Sequence, residues 1–181
     1  MFVGLATPRD LEGIIALQRA NLESALDPGE MRAQGFVTVA HTPAILERMH
    51  AMAPSIVARS GDEIVGYALT MPVACKSLVP LLEPMFTLFA RLEAGGRPLR
   101  DSRFYVCGQV CVARAERGSG IFDALYRAHA ENYAASHDWI VTQISMRNPR
   151  SIRAHARVGF REIARYQDAH DDWSVVAWDF R

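Results

Sequence analysis

The run Phe104–Ile121, FYVCGQVCVARAERGSGI, constrains the fold more tightly than any other part of the chain. Phe104–Val112 is apolar apart from Gln109, the pattern of a strand buried on both faces. A short polar connection follows, and Arg117-Gly118-Ser119-Gly120 opens a helix. That helix carries Ile121, Leu125 and Ala128 on one face and is predicted to reach His137. Ile140–Met146 then alternates like a strand. Two strands joined by a helix of this length form a parallel βαβ crossover. The fold class is therefore α/β, built on a mixed sheet.

Glycines at a strand-to-helix junction allow a ligand close to the backbone. The first free N–H groups of the helix point outward there, at the positive end of its dipole. Such a turn is suited to an anion, most often a phosphate. Alone, the signal is weak. No Lys-Ser/Thr pair follows the glycines as in a P-loop, and Asp123 stands where a dinucleotide fingerprint has its third glycine.

The rest of the chain supplies elements to flank this unit. Phe2–Ala6 reads as a strand. Thr7-Pro8 starts a helix predicted to run to about Ala25, carrying Leu11, Ile14, Ile15, Leu17 and Leu22, with Asp27-Pro28-Gly29 as its stop. Thr42-Pro43 opens a second helix with Ile45, Leu46 and Met49. Ser55–Arg59 and Glu63–Met71 form a predicted hairpin around Gly61-Asp62, and Gly66 marks a bulge or a close backbone approach. In Ala74–Arg100, Leu81, Met85, Leu88, Phe89 and Leu92 recur at helical spacing. This insertion is expected to pack on the sheet, with a substrate-side wall or a dimer contact as the sharper reading. Asn148-Pro149 caps a last helix ending near Val158-Gly159-Phe160. Arg161–Tyr166 and Trp173–Phe180 close the chain as two strands around Asp168–Asp172.

At 181 residues the chain is long enough to bury a full core and is expected to form one domain over 1–181. Lys+Arg and Asp+Glu balance at 20 each, so no global field draws it to nucleic acid or an anionic membrane. Any anion site must be local. Cys75, Cys107 and Cys111 are odd in number and lack metal-type spacing. Cys107 and Cys111 lie about 13 Å apart along a strand, too far for a disulfide. A reducing, cytoplasmic setting is expected, with neither a signal peptide nor a membrane span. His129 and His137 have no ligand spacing, and no metal is expected.

The combination of Val112, Arg117-Gly118-Ser119-Gly120-Ile121, Asn148, Ser151 and Gly159-Phe160 resembles the GNAT (Gcn5-related) N-acetyltransferase superfamily in order and spacing. The resemblance covers essentially the whole chain. It implies a mixed antiparallel and parallel twisted sheet flanked by helices, whose central parallel pair splays apart. It also implies acetyl-CoA as cosubstrate and an amine as acceptor, a small molecule or a peptide. The amine would attack the thioester directly in a ternary complex, through a tetrahedral oxyanion that a backbone N–H near Cys111 or Val112 stabilises. A coenzyme A-binding module with little or no catalysis is the alternative. The apolar insertion and the final hairpin are compatible with a homodimer.

By this resemblance, backbone N–H groups from Gly118 through Ser119, Gly120 and Ile121 to Phe122 would hold the pyrophosphate, with Arg117 adding a cation. Exposed backbone of Val110, Cys111 and Val112 would pair with the pantetheine amides as an added strand, and Asn148 and Ser151 would flank the acyl arm. Two departures stand out. Ala115 replaces a frequent Gln or Arg, which backbone cradling does not need. His155 occupies the position, seven residues after Asn148, where many relatives place a tyrosine that protonates the departing thiolate. An imidazolium could do that work. The alternative is a His155 that only hydrogen-bonds near the sulfur. Gln109 could hold the water that deprotonates the amine, or pair with a neighbour. Glu30, His41, Glu83 and Asp101 are further candidates for a base.

Overall fold

The computed structural model describes residues 1–180; Arg181 and the side chain of Leu81, counted above in the spacing of the insertion, lie outside the described residues. Seven strands form one sheet: β1 (Phe2–Leu5), β2 (Ile56–Ser60), β3 (Glu63–Pro72), β4 (Phe104–Val112), β5 (Trp139–Ser145), β6 (Arg161–Gln167) and β7 (Asp172–Asp179). Their order across the sheet is β1-β2-β3-β4-β5-β7-β6. The pairs are antiparallel except β4 with β5, which is parallel as the crossover requires. This is the mixed α/β architecture expected from the sequence.

Strand residues alternate between two cores. On one face Tyr67, Leu69, Met71 and Val106 meet α1 (Leu11–Arg19), α3 (Pro43–Met52) and α4 (Glu83–Phe89). On the other, Ala68, Tyr105, Cys107, Ile140 and Ile144 meet α5 (Ile121–Tyr133) and Phe160, with α6 (Pro149–Val158) contributing Ile152 and Val158. Val65 is left unpaired where β3 bulges against β2, and a Cβ on Gly66 would come within 2.9 Å of Ile121 Cγ2. Both readings of Gly66 are therefore met: the bulge lies beside it, and α5 approaches its backbone closely.

Four local expectations change, the smallest being that α5 ends at Tyr133 rather than reaching His137. The first helix ends at Arg19 rather than Ala25. There the chain turns to pair with a distant segment: Val37 N–H donates to Asn21 O and Glu23 N–H to Val37 O, both at 2.9 Å. Asp27-Pro28-Gly29 is a start, not a stop. The Asp27 carboxylate accepts from Gly29 and Glu30 N–H and caps α2 (Pro28–Gln34), with proline at the first helical position. The insertion is broken into short 3₁₀ turns and one helix, α4, of only seven residues, followed by a two-residue ladder around Gly95-Gly96. Its Cys75, Leu78, Phe86, Phe89 and Leu99 are buried, so it packs on the sheet.

Candidate active site

The site begins where the central pair parts. β4 and β5 are paired only over Phe104–Val106 and Trp139–Val141. Beyond that, Thr142 Oγ1 donates to Cys107 O across the fork, at 2.9 Å. β4 stays paired with β3 up to Val112 opposite Gly66. Backbone groups alternate edges along a strand. Ala113 N–H turns to β3, donating to Val65 O at 2.8 Å, so Cys111 faces β3 as well. Val110 and Val112 face the open edge, where Val112 O accepts from Arg117 Nε at 3.0 Å.

The open edge leads into a cavity of about 450 Å³. Val110, Cys111, Val112, Arg117, Gly118, Gly120, Ile121, Phe122, Asn148 and Ser151 all line it, so ten of the eleven residues expected at the cofactor meet there. Ser119 does not; its hydroxyl turns back to Glu116 O at 2.6 Å. Gly118 and Gly120 both have φ of +89°, in the left-handed region, and a Cβ on either would enter open space. The turn thus needs glycine for its conformation. It presents bare backbone beside the N-terminus of the 13-residue α5.

Arg117 is half-buried on the cavity floor. Besides Val112 O it donates to Gln34 Oε1 at 3.1 Å and Asn21 Oδ1 at 2.6 Å, tying β4 to α2 and to the end of α1. Burial lowers its pKa, and the charges of Arg150 and Arg114 push the same way. A guanidinium stays protonated regardless. Asn148 is buried: Oδ1 caps α6 through Ser151 N–H at 3.1 Å, and Nδ2 donates to Phe36 O at 3.3 Å. That second bond draws the segment after α2 over the fork.

A smaller cavity, of about 70 Å³, continues along the fork and is lined in part by Phe36, Gly108, Gln109, Thr142, Ser151, His155 and Trp173. His155 and Gln109 therefore do reach the site, but with little chemical freedom. The His155 ring is 2% exposed, among Phe122, Tyr126 and Phe160. Its Nδ1 lies 2.8 Å from Ser151 O. A carbonyl only accepts, so Nδ1 carries the proton and Nε2 accepts from Tyr126 Oη at 2.7 Å. Burial lowers its pKa to about 4. The ring is neutral at pH 7 and both nitrogens are engaged.

Gln109 is equally committed. Oε1 accepts from Tyr67 Oη at 2.6 Å and Gln18 Nε2 at 2.8 Å, and Nε2 donates to Val39 O at 2.9 Å. Gln18 Oε1 in turn accepts from His41 N–H at 2.8 Å, which fixes the orientation of its amide. Gln18 Nε2 must then donate to His41 Nδ1, 3.0 Å away. His41 is also buried, with its pKa lowered to about 4. Glu30 pairs with Arg114 at 2.6 Å, and Asp101 sits 3.8 Å from Arg100 on the surface. Neither they nor Glu83 line either cavity, nor does any described residue of the 74–100 insertion.

Two parts of the wall lie beyond the residues expected at the cofactor. One is the Asn21, Gln34 and Gly35–Val37 side, most of it within the 23–42 segment that the sequence places along the acceptor's approach; the helix α2 inside that segment, signalled by its Asp-Pro pair, was not expected. The other is the α6 face carrying Arg150, Arg153 and Arg157, spaced three and four apart as residues sharing a helix face are.

A forked parallel pair beside a glycine turn is the arrangement that the GNAT resemblance implies, and the comparisons agree. Residues 29–160 match the family model described as "Acetyltransferase (GNAT) family". The chain belongs to that family and is an N-acetyltransferase by membership. Its fold resembles smu.2055 from Streptococcus mutans, with TM-score 0.68 at 16% identity and full coverage of both chains. It also resembles the ribosomal-protein-alanine N-acetyltransferase of Brucella melitensis, with TM-score 0.63 at 20% identity over 99% of each chain. A third similar structure is yncA from Salmonella typhimurium, solved with its cofactor acetyl-CoA; its TM-score is 0.64 at 18% identity, over 100% of this chain and 94% of that one. At these identities the likeness is one of fold. No curated protein matches the sequence. Among the described residues, no helix is long and apolar enough to cross a membrane, and no cluster of His, Cys, Asp and Glu is arranged to hold a metal.

Proposed function

We propose that this protein transfers the acetyl group of acetyl-CoA to an amine by direct attack on the thioester in a ternary complex. One observation carries the reading: the fork after Val106 and Val141 opens into the cavity that the Gly118–Gly120 turn lines. The residues present fit the substrate. Bare backbone and the α5 N-terminus suit a pyrophosphate, and the open edge at Val110 and Val112 suits an amide arm. The presence of acetyl-CoA in the similar yncA structure supports the same choice.

The roles follow from which groups are left unengaged. The turn from Gly118 to Phe122 holds the diphosphate, and the Arg117 charge lies beneath it. Val110 and Val112 pair with the arm, and their N–H groups are the candidates for the oxyanion; Cys111 is turned to β3. Asn148 and Ser151 shape the acyl end. The thioester supplies the activated acetyl group: the N–C bond would form first, the C–S bond would break as the oxyanion's carbonyl re-forms, and the proton lost by the amine balances the one gained by sulfur.

His155 is a positioning residue rather than the acid, because a neutral ring bonded at both nitrogens holds no proton to give near pH 7. Gln109 likewise braces the fork, tying β4 to Gln18, Tyr67 and Val39. Thermal shift with acetyl-CoA, followed by thiol release against a panel of amines, tests the proposal. Stabilisation with turnover is expected. Binding without thiol release would leave a coenzyme A-binding module, and no stabilisation at saturating acetyl-CoA would remove the coenzyme altogether.

A further inference from the structure

The α6 face toward the large cavity breaks two local rules at once. Arg150, Arg153 and Arg157 share that face, which sets like charges against one another, and α6 has no acidic residue in its first turn. Arg150 lies in that turn, where the positive end of the dipole opposes a cation. Departures of this kind from local consistency concentrate at functional positions.

The three arginines are not equivalent. Arg157 is answered by Asp123, with Nη2 at 2.7 Å and Nε at 3.2 Å from its two carboxylate oxygens. Arg150 and Arg153 line the same cavity, yet neither guanidinium has an ion pair or a hydrogen bond among the described residues. Arg117, the other cavity cation, is held on the floor by Val112, Gln34 and Asn21. Two free cations thus stand on α6, distinct from the backbone cradle on the glycine turn. One cavity presents two anion-binding elements of different make.

We propose that Arg150 and Arg153 form a second phosphate site, which takes the 3′-phosphate of coenzyme A's ribose and makes the enzyme select the phosphorylated coenzyme over its 3′-dephospho form. The inference rests on the coenzyme A reading above. A terminal phosphomonoester is the fitting ligand. It carries nearly two charges at pH 7 and three acceptor oxygens, which two guanidiniums one turn apart can share. A diphosphate is already served by the turn and needs no second site.

Calorimetric titration of coenzyme A and of 3′-dephospho-coenzyme A against the wild type, Arg150→Ala, Arg153→Ala and the double variant tests this. Alanine is the best helix former, so these exposed or half-exposed positions on α6 tolerate it without loss of fold. The wild type is expected to bind coenzyme A about tenfold or more tightly than the dephospho compound. Each single variant should lose part of that preference. The double variant should bind both compounds with the affinity that the wild type has for dephospho-coenzyme A, and the preference should shrink as salt rises. Equal wild-type affinity for the two compounds overturns the proposal. So does a double variant that weakens both equally, which would assign these arginines to the diphosphate. A wild type that binds neither compound rejects the coenzyme A reading and this site with it.

Discussion

The two sides of the fork are built on opposite principles. The side of the glycine turn presents groups that the protein leaves free: the bare turn at Gly118 and Gly120, the open edge at Val110 and Val112, and the guanidiniums of Arg150 and Arg153. The inner side is crowded with polar side chains that engage one another: Gln18, His41, Tyr67 and Gln109 in one network, Tyr126, Ser151 and His155 in another. A buried polar group without a partner is costly, so an enclosed network pairs most of its groups internally, His41 Nε2 being the exception among these side chains. Ligand-directed chemistry falls to whatever is left unengaged. The residue types most suggestive of catalysis, two histidines and a glutamine, are on that reasoning scaffold.

Acid is the strongest test of the inner side. Burial lowers the pKa of His41 and His155 to about 4 and that of His129 to about 3. Their unfolded-state value is near 6.5. Between the folded and unfolded values the unfolded chain binds more protons. Stability is therefore complete above about pH 6.5 and falls as the pH drops toward 4. Each histidine contributes up to about 1.4 kcal/mol per pH unit in that window, so the three together can unfold a domain of ordinary stability. Chemical denaturation at pH 7.5, 6, 5 and 4.5 reads it. A flat stability down to pH 4.5 would show that these rings charge freely and are not the closed scaffold described.

Next in size is His155→Ala. It removes the partner of the Tyr126 hydroxyl, leaving only Cys107 Sγ at 3.5 Å, and opens a hole among Phe122, Tyr126 and Phe160. A loss of about 3 kcal/mol of stability is expected, with turnover at low temperature within about tenfold of wild type. The wild-type rate against pH should show no descending limb between 6 and 8, because the ring is already neutral throughout. A thousandfold loss of turnover at unchanged stability, or a limb near pH 6.5 that the variant lacks, would restore the acid role.

On the open side, Gly118→Ala combined with Gly120→Ala forces two Cβ atoms into left-handed backbone, at about 1 kcal/mol or more each, and plants them in the cradle. The KM for acetyl-CoA should rise about a hundredfold, equivalent to about 2.7 kcal/mol, while kcat at saturation changes little. An unchanged KM would mean that the turn serves the fold alone.

The open side was legible in the sequence because its signals are local. Arg117-Gly118-Ser119-Gly120 and Asn148-Pro149 each announce a helix start within a few residues, and the βαβ order fixes the parallel pair. The inner side was not, because its meaning lies in pairings across the chain. Gln18 meets Gln109 across 91 positions, and His155 meets Tyr126 across 29. Seven residues after Asn148 marked the place of His155, but only the fold shows that its proton sits on Nδ1 against Ser151 O. The 23–42 segment was expected as a wall, but its helix α2 was not, for another reason. Asp27-Pro28 is the same cap-plus-proline pair as Thr42-Pro43, and it followed a helix that ends earlier than its apolar spacing suggests.

Arg117 belongs to both sides and gives the finest test. Its charge lies under the cavity, yet its three hydrogen bonds go to Val112 O, Gln34 Oε1 and Asn21 Oδ1. Lysine keeps the charge but has a single nitrogen with which to reach three acceptors, whereas methionine keeps the apolar stem and loses both. If the charge matters most, Arg117→Lys should hold the KM for acetyl-CoA within about threefold and Arg117→Met should raise it about tenfold, with a smaller salt dependence. If the bracing of α2 matters most, the two variants should be equally impaired. Every nitrogen of the side chain already has a protein acceptor, so the second pattern is the expected one. Both variants should raise KM by about tenfold and lose about 1 kcal/mol or more of stability. Steady-state kinetics and denaturation on the same pair of proteins decide whether an engaged cation can still act as a ligand group.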